Sequence, residues 1–385
     1  MESIIPRFFE VPKESFFLFG PRGTGKSTWL RAVMKDALWI DLLEPEVFRS
    51  YSARPERLRE LVLGNEPGRA VVIDEIQKVP SLLSAVHALI ERKQERQFIL
   101  TGSSARKLKR SGVDLLAGRV LKFTLHPFMA SELGGRFRLH KALEHGLLPL
   151  VVAAATPEEV LRAYAALYVR EEVQMEGFVR NISGFSRFLE SVSFSHGSVL
   201  NISNVARECE VERKVVEGYI SILEDLLLSF RLPVFTRRAK RVTVAHPKFY
   251  YFDTGVFRSL RPTGPLDRPE EIEGSALEGL VAQHLVAWNA YRGEENKIFY
   301  WRTRSGVEVD FIVYGREVFW AIEVKNTPHV REEDLRSLRT FKEEYRQCST
   351  FFLYRGEERL VRDDVLCIPC EEFLMKLHPG MKSVG

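Results

Sequence analysis

The feature that most constrains this chain is a glycine-rich run of eight residues, 20–27, that follows a short apolar segment. Glycines allow the backbone to turn its amide groups toward a polyphosphate, and a helix that follows adds the positive end of its dipole. Positions 16–19 have the composition of a buried strand, and positions 27–34 have the pattern of a helix. The run therefore predicts a phosphate-binding loop between a strand and a helix. The expected nucleotide contacts are Gly20, Pro21, Arg22, Gly23, Thr24, Gly25, Lys26, Ser27 and Thr28.

Run 20–27 is a complete Walker A loop, and four side chains in and beyond it have specific expected roles in the nucleotide site. Lys26 would contact the β- and γ-phosphates, and Ser27 would place its hydroxyl on Mg²⁺. Downstream, the apolar run 71–73 ends in the acid pair Asp74-Glu75. We expect Asp74 to hold the magnesium through water and Glu75 to act as the general base toward an attacking water. ATP and Mg²⁺ are the predicted cofactors, and ATP hydrolysis is the predicted reaction.

Two further residues are candidates for sensing the nucleotide. Ser103 follows the apolar run 98–101 and would position water or contact the γ-phosphate, as a sensor-one residue does. A simple serine-rich turn is the alternative. Arg119 precedes the apolar run 120–125 and could reach the nucleotide of a neighbouring subunit as an arginine finger. A surface salt bridge is the alternative for this arginine.

The organisation of the rest of the chain follows from its periodicity. Up to about residue 125, helical patterns alternate with short apolar runs at 16–19, 38–42, 70–73, 98–101 and 120–125, as in a buried parallel sheet. Helical patterns then dominate. Three helix-like pieces at 185–194, 202–208 and 215–228 precede two β-rich runs, which is the outline of a winged helix-turn-helix. Asn201 or Ser203 would cap the second helix, and the third would enter a DNA groove; a protein–protein spacer is the alternative.

These patterns predict an α/β protein with four regions. They are a P-loop ATPase core with a parallel sheet over 1–135, a helical lid over 136–182, a winged helix-turn-helix over 183–260 and a C-terminal α/β domain over 268–385. The proline-rich stretch 261–269 separates the last two regions.

A set of carboxylates marks the C-terminal domain. Glu278 lies on its opening helix, Asp310 on a strand, and Glu323 and Lys325 on one face of the next strand. Glu278, Asp310 and Glu323 could hold Mg²⁺, or Mn²⁺, across a phosphodiester, while Lys325 stabilises charge or orients water. Asp310, Glu323 and Lys325 are therefore the candidate catalytic residues. This order resembles the PD-(D/E)xK nuclease core, and a degenerate core with a salt-bridge network is the alternative.

Composition limits the setting and the partners. The net charge is only +4, but basic residues cluster in two places. The clusters consist of Arg106, Lys107, Lys109 and Arg110, and of Arg237, Arg238, Lys240 and Arg241. Either cluster could meet DNA phosphates, and a solvated basic loop is the alternative. No apolar stretch approaches the roughly 20 residues of a membrane span, and no secretion signal opens the chain, so we expect a cytoplasmic protein. The four cysteines make no disulfide framework, and we expect buried thiols.

Taken together, these motifs resemble a widespread group of prokaryotic ATPases that pair an N-terminal AAA-type ATPase domain with a C-terminal domain of unknown function. The resemblance covers nearly the whole chain and includes positions 20–27, 72–77, 101–104, 117–119, 125–128, 164–172, 250–255, 278, 301–310 and 323–325. It implies an AAA+-like motor or switch, a winged-helix middle and a restriction-endonuclease-like tail. It also implies a homo-oligomer, for which a hexameric ring is one form. A sensor-two arginine motif is not evident, and Arg162 and Arg170 are candidate substitutes.

Two functions from different classes are compatible with the sequence. The first is an ATP-driven machine on DNA whose tail cuts or clamps the nucleic acid. The second is a nucleotide-controlled protein interaction switch with a degenerate, non-cleaving nuclease fold. A nucleotide kinase is disfavoured, because Asp74-Glu75 supplies a water-activating acid.

Overall fold

The computed structural model describes residues 4–92, 96–103, 108, 116, 118–168, 182–236 and 246–381. All eight residues of the two basic clusters lie outside these ranges, as does Arg170. The chain divides into two compact units. The first is Met1–His126 with Glu224–Leu227, and the second is Pro127–Leu223 with Leu228–Gly385. No helix in the described ranges is long and apolar enough to cross a membrane.

The first unit is built on a parallel sheet of five strands in the order β2-β3-β4-β1-β5. The strands are β1 (Phe16–Phe19), β2 (Leu38–Asp41), β3 (Val71–Asp74), β4 (Phe98–Gly102) and β5 (Leu121–Thr124). Each lies within one residue of a predicted run at both ends, so the predicted parallel α/β sheet is confirmed. The strands β1, β3 and β4 are almost wholly buried because helices cover both faces of such a sheet.

The described residues of this unit include four helices that lie between strands. They are α1 (Lys26–Val33), α2 (Pro45–Ala53), α3 (Arg57–Leu63) and α4 (Leu82–Glu91). A 3-10 turn, Ile76–Lys78, follows β3 directly. The hydrophobic core between these elements includes Ile40, Leu58, Val71, Ile73, Leu82, Val86, Phe98 and Leu100. The core therefore fixes the strand ends that carry the predicted nucleotide site.

The second unit begins with helices and a small sheet. The described α-helices that begin between residues 130 and 260 are α5 (Ala130–Leu133), α6 (Leu139–His145), α7 (Pro149–Val152), α8 (Pro157–Ala163), α9 (Ile182–Ser193), α10 (Ile202–Glu208), α11 (Arg213–Asp225) and α12 (Thr254–Leu260). A π-helix, Tyr164–Tyr168, follows α8. The strands β6 (Ser198–Val199), β7 (Ser229–Leu232) and β8 (Lys248–Tyr251) form an antiparallel sheet in the order β6-β8-β7. The Asn201 side chain caps α10, since it accepts a hydrogen bond from the Asn204 amide at 3.1 Å.

The C-terminal part opens with the long helix α13 (Pro269–Tyr291), which begins at the last residue of the stretch 261–269. Pro269 suits the first turn of a helix, and the acids Glu270 and Glu271 follow it there, so the helix extends into the expected linker.

A six-stranded mixed sheet follows in the order β13-β14-β12-β11-β10-β9. Its strands are β9 (Asn296–Arg302), β10 (Glu308–Gly315), β11 (Phe319–Val324), β12 (Ser349–Tyr354), β13 (Leu360–Arg362) and β14 (Val365–Pro369). The helices α14 (Arg336–Glu344) and α15 (Cys370–Lys376) complete this part. The strand β13 was not expected, because it is three residues long and lies in a charged stretch.

The chain after β7 joins the edge of this larger sheet. The Tyr300 amide on β9 donates to Pro233 O at 3.1 Å, and the Phe235 amide donates to Tyr300 O at 2.6 Å. The Phe235 ring packs against Phe299 and Phe341. The small sheet and the large sheet therefore belong to one unit.

Candidate functional site

The predicted phosphate-binding loop lies between β1 and α1, as expected. At Gly20 a Cβ atom would lie 2.5 Å from Leu125 O, so no larger residue fits the backbone there. The Thr24 hydroxyl donates to Pro21 O at 2.7 Å and braces the loop from inside. The Lys26 ammonium is buried and donates to Gly20 O at 2.6 Å and to Pro21 O at 3.2 Å. The loop thus holds the lysine head group against its own backbone.

An arginine that lies outside every predicted motif also supports this loop. Arg7 donates from Nη1 to Thr24 O at 3.3 Å and from Nη2 to His126 O. Burial, together with the Arg7 charge, lowers the pKa of His126 to about 4, so this imidazole is neutral at pH 7. Arg7 was not expected to have a role, because it lies in an irregular segment before β1.

The acid pair follows β3 at the carboxyl edge of the sheet. Asp74 is buried and accepts a hydrogen bond from the Thr101 hydroxyl on β4. The same hydroxyl oxygen accepts a hydrogen bond from the Glu75 amide at 3.0 Å. Glu75 has φ 60°, in the left-handed region, which turns the chain sharply after the strand. Thr101 therefore holds the Asp74 carboxylate and the backbone of Glu75, a role that the residue's position in the sequence did not predict.

Gln77 links Glu75 to the sensor candidate Ser103. Its Nε2 donates to Glu75 Oε2 and, at 3.2 Å, to Ser103 Oγ. Its Oε1 is buried and has no hydrogen-bond partner among the described residues. Ser103 is itself buried, so it lies inside the site rather than in an open turn. The structure thus joins two predicted residues through a third that had no predicted role.

Arg119 forms an ion pair with Glu91 at the end of α4, as its alternative interpretation expected. Its side chain is 45% exposed. The finger role requires a second subunit and stays a prediction.

The residues at this edge fit a magnesium ion. A serine hydroxyl and a buried carboxylate are hard oxygen donors of the kind that Mg²⁺ prefers. Ser27 is the second residue of α1, which follows β1, and Asp74 ends β3 in the same parallel sheet, so both lie at the carboxyl edge. These two residues would hold the ion.

In the C-terminal part, the structure brings the predicted carboxylates together. Asp310 on β10 accepts a hydrogen bond from the Val324 amide on β11 at 2.9 Å, which places the two strand ends side by side. Lys325 Nζ lies 2.7 Å from Glu323 Oε1. Glu323 Oε2 is buried without a hydrogen-bond partner among the described residues.

A lysine from the small sheet lies inside this cluster. Lys248 on β8 is buried, and its Nζ lies 2.7 Å from Glu308 Oε1 and 3.0 Å from both Glu278 Oε1 and Asp310 Oδ1. The Tyr250 hydroxyl, two residues along the same strand face, donates to Glu278 Oε1 at 2.7 Å. Lys248 was not among the predicted site residues, although a buried lysine directly before three aromatic residues is an unusual composition for a strand.

Burial and mutual repulsion divide the charges in this cluster. Burial and the neighbouring Asp310 raise the pKa of Glu278 to about 7 and that of Glu323 to about 8. Burial alone would also raise the pKa of Asp310, but the Lys248 and Lys325 ammonium groups hold it below its usual value. For Lys248, burial is outweighed by Glu278 and the other acids, so its pKa lies well above the usual value. Lys248 and Asp310 form the charged pair at the centre.

The expected metal ligands Glu278, Asp310 and Glu323 do not fit a divalent ion in this arrangement. An ammonium group already lies between Glu278 and Asp310 and is hydrogen bonded to both. Within the described ranges, no group of three or more histidine, cysteine or acidic side chains could hold a metal ion. The arrangement corresponds to the salt-bridge network considered as the alternative.

Comparison with known proteins supports the N-terminal domain. Residues 12–134 match a family model described as an AAA domain. Residues 136–267 and 273–373 match two models described as domains of unknown function, DUF8612 and DUF4143. The AAA match and the loop together support an AAA-type, nucleotide-binding domain of the ATPase kind.

Three relatives cover different shares of the chain. Uncharacterized proteins of Mycobacterium bovis and Mycobacterium tuberculosis are each 27% identical over 369 residues, 93% of this chain and 80% of the relative. An uncharacterized protein of Haemophilus influenzae is 23% identical over 205 residues, 49% of this chain and 51% of the relative. The mycobacterial similarity thus extends across both units.

The run Asp253-Thr254-Gly255, which contributed to the family resemblance, joins parts of the second unit. Asp253 is buried and accepts hydrogen bonds from the amides of Leu147, Gly255 and Val256 at 2.8, 2.9 and 3.2 Å. Burial raises its pKa to about 6 in spite of these bonds. The motif therefore caps α12 and ties it to the turn after α6.

All four cysteines are free and buried, as expected. Burial raises the pKa of Cys370 to about 12, which suits an unreactive packing residue.

Proposed function

We propose that this chain binds and hydrolyses Mg²⁺-ATP and that the nucleotide state changes the contacts of residues 127–385 with DNA. The observation that carries the first part is the hydrogen-bonded connection from Glu75 through Gln77 to Ser103 at the end of the phosphate-binding sheet. This connection holds the Glu75 carboxylate and the Ser103 hydroxyl close together, so that both can contact one water molecule, as activation of that water requires.

The residues would divide the work of hydrolysis as follows. Lys26 leaves its backbone acceptors and donates to the β- and γ-phosphates, while the loop amides bind the remaining oxygens. Glu75 accepts a proton from the attacking water, and Gln77 keeps its carboxylate in place. Ser27 and Asp74 would hold a magnesium ion, which would neutralise charge on the phosphate oxygens.

Three purified variants test the ATPase. We expect Lys26→Ala to lose binding of a fluorescent ATP analogue and Glu75→Gln to keep binding but lose phosphate release. Glu60→Gln is the matched control, since Glu60 is an exposed acid of the same unit that pairs with Arg54 at the solvent surface. Full phosphate release by Glu75→Gln would rule out its role as the base.

The DNA part of the proposal rests on the family resemblance and on the three helices with a three-stranded sheet. One observation favours the second candidate, a nucleotide-controlled protein interaction switch. The exposed residues at the start of α11 carry no net charge, because Arg213 and Lys214 are matched by Glu212 and Glu217, and Arg213 pairs with Glu217 at 3.1 Å. A DNA-reading helix would need net positive charge at that place.

Salt dependence separates the two candidates. Fluorescence anisotropy of a labelled duplex should show binding that weakens steeply between about 50 and 200 mM salt if several phosphates are contacted. Salt-insensitive or absent binding, with intact ATPase activity that DNA does not change, would favour the interaction switch. Lys26→Ala in the same assay reports whether nucleotide controls the binding.

A further inference from the structure

The carboxylate cluster has a cation of its own, supplied by the small sheet. An ammonium group has three N–H donors, and three carboxylates surround Lys248 within 3.0 Å. Glu278 belongs to α13, while Glu308 and Asp310 belong to β10. The lysine therefore donates hydrogen bonds to Glu278 and Asp310 and forms an ion pair with Glu308, so its partners come from two separate elements.

The oxygen atoms around this lysine are already engaged. Glu278 Oε1 accepts from both Lys248 and the Tyr250 hydroxyl. Asp310 uses one oxygen for Lys248 and the other for the Val324 amide. A divalent ion bound between these acids would have to displace the ammonium group, since two cations in one buried site repel each other strongly.

Without the lysine, the carboxylate oxygens of this cluster would be available as ligands for a metal ion. Among the described residues, the four acids Glu278, Glu308, Asp310 and Glu323 pair with three cations. These are Lys248, Lys325 and Arg302, whose Nη1 lies 3.6 Å from Glu308 Oε2. Glu323 also has a buried oxygen with no hydrogen-bond partner in the described part of the chain. Removal of the Lys248 charge leaves an excess of acids and vacant acceptor positions, which is the donor set that Mg²⁺ and Mn²⁺ prefer.

We propose that Lys248 is the resident cation of this cluster and that it masks a latent divalent-cation site formed by Glu278, Asp310 and Glu323. Because Lys248 lies on β8, the same ion pairs hold the small sheet against the C-terminal sheet. Metal binding at the cluster and the observed position of the Lys248 side chain are mutually exclusive. The masking does not depend on ATP hydrolysis.

Manganese binding tests the proposal directly. Electron paramagnetic resonance of free Mn²⁺ is followed during titration of nucleotide-free, full-length protein in an Asp74→Asn background, which silences the N-terminal site. The parent should bind no Mn²⁺ that depends on Asp310. Lys248→Met, which keeps the length of the side chain and removes its charge, should bind about one Mn²⁺ per chain. The added Asp310→Asn substitution should abolish that binding.

Lys297→Met is the matched control, since Lys297 is an exposed lysine on β9 of the same sheet. It should bind no more Mn²⁺ than the parent. Lys248→Arg keeps the charge and should also remain metal-free.

Two results would overturn the proposal. One is Mn²⁺ binding by the parent that disappears in Asp310→Asn, because the site would then be open with Lys248 present. The other is a cooperatively melting Lys248→Met variant that binds no Mn²⁺. If Lys248→Met does not fold, the parent and Lys248→Arg still test the proposal. Mn²⁺ binding by either protein that is lost on Asp310→Asn substitution would contradict masking of the site by the side chain at position 248.

Discussion

Gln77 is the side chain that connects the expected general base with the expected sensor. Its amide donates to both Glu75 and Ser103, so its loss should leave the Glu75 carboxylate free to rotate. We expect Gln77→Ala to lower the kcat of ATP hydrolysis about tenfold with little change in KM, because positioning of the base matters in the chemical step. Steady-state phosphate release measures both constants.

Gln97→Ala is the control for this substitution. Gln97 is a glutamine next to the other end of β4, where its side chain donates to Pro12 O and Glu14 O. It should leave kcat unchanged. A Gln77→Ala variant with the same kcat as Gln97→Ala would show that Gln77 has only a packing role.

His284 should make the second unit sensitive to acid. Burial lowers the pKa of His284 to about 4 from 6.5, although its bond to Leu280 O opposes the shift. The Nε2 atom accepts the Ala130 amide at 2.8 Å and must be unprotonated to do so. The unfolded chain therefore binds the proton first, and stability that is complete above pH 6.5 is lost as the pH falls toward 4. At pH 5 the loss is about 2 kcal/mol.

Thermal unfolding at about pH 7.5 and pH 5 measures this effect. The midpoint of wild type should fall more on acidification than that of His284→Gln, which cannot titrate. His140→Gln, at an exposed position, should behave like wild type. Equal acid shifts in wild type and His284→Gln would contradict the assignment of a neutral buried imidazole.

At the scale of single residues, the sequence predicted roles that depend on local backbone and missed those that depend on distant partners. Lys26 follows a glycine-rich loop, and Asp74 and Glu75 lie at the end of a strand. Both features can be recognised from a few neighbouring residues. Lys248 acquires its role from Glu278 and Asp310, which lie 30 and 62 positions away. No local pattern encodes such contacts.

Among the elements, α13 packs closely against His196 because the residue at the contact, Gly279, has no Cβ atom. A Cβ atom at Gly279 would lie 2.1 Å from Nε2 of the buried His196, whose ring stacks on Phe257 at 4.0 Å. Alanine gains about 1 kcal/mol in helix propensity. The overlap with a ring that is held on both sides should cost more, about 1–3 kcal/mol. We expect Gly279→Ala to destabilise the second unit.

Gly274→Ala is the control on the same helix. A Cβ there would meet only Asn326 Cβ at 3.8 Å, an ordinary contact, so this variant should be neutral or more stable by up to about 1 kcal/mol. Denaturant unfolding of the two variants measures the difference. A Gly279→Ala variant as stable as Gly274→Ala would show that His196 and α13 can separate at little cost.

The strand and helix order was predictable because alternation and apolar runs are local properties, and most predicted ranges lie close to the observed elements. The start of α13 could not be predicted in this way. Pro262, Pro265 and Pro269 together indicate a linker, but only the first two precede the helix, and Pro269 is its first residue. Proline marks a helix start as readily as a break, and the sequence does not distinguish these uses.

For the whole molecule, the grouping of the middle and C-terminal parts depends on contacts that span the sequence. The ion pairs of Lys248, the backbone bonds of Tyr300 and the Phe235 ring all join residues before 250 to residues after 277. Composition and proline content indicated separate regions there. The composition of the stretch 261–269 does not show whether the regions on either side of it pack together. The extent of the second unit therefore could not be predicted from the sequence.

Arg119 is the residue through which the assembly of several copies can be tested. Its ion pair with Glu91 is exposed, and such pairs are worth about 0–1 kcal/mol, so the guanidinium could leave it at little cost. If Arg119 completes the site of a neighbouring subunit, Arg119→Ala and Lys26→Ala should each be inactive alone, since one lacks the finger and the other lacks nucleotide binding. An equal mixture of the two variants should regain activity, because some interfaces then pair an intact loop with an intact Arg119.

Glu91→Gln, which removes the ion pair but keeps the arginine, should stay active in the same phosphate-release assay. An Arg119→Ala variant with full activity, or a mixture that stays inactive although both variants co-assemble by light scattering, would leave Arg119 as a surface salt bridge of a single subunit.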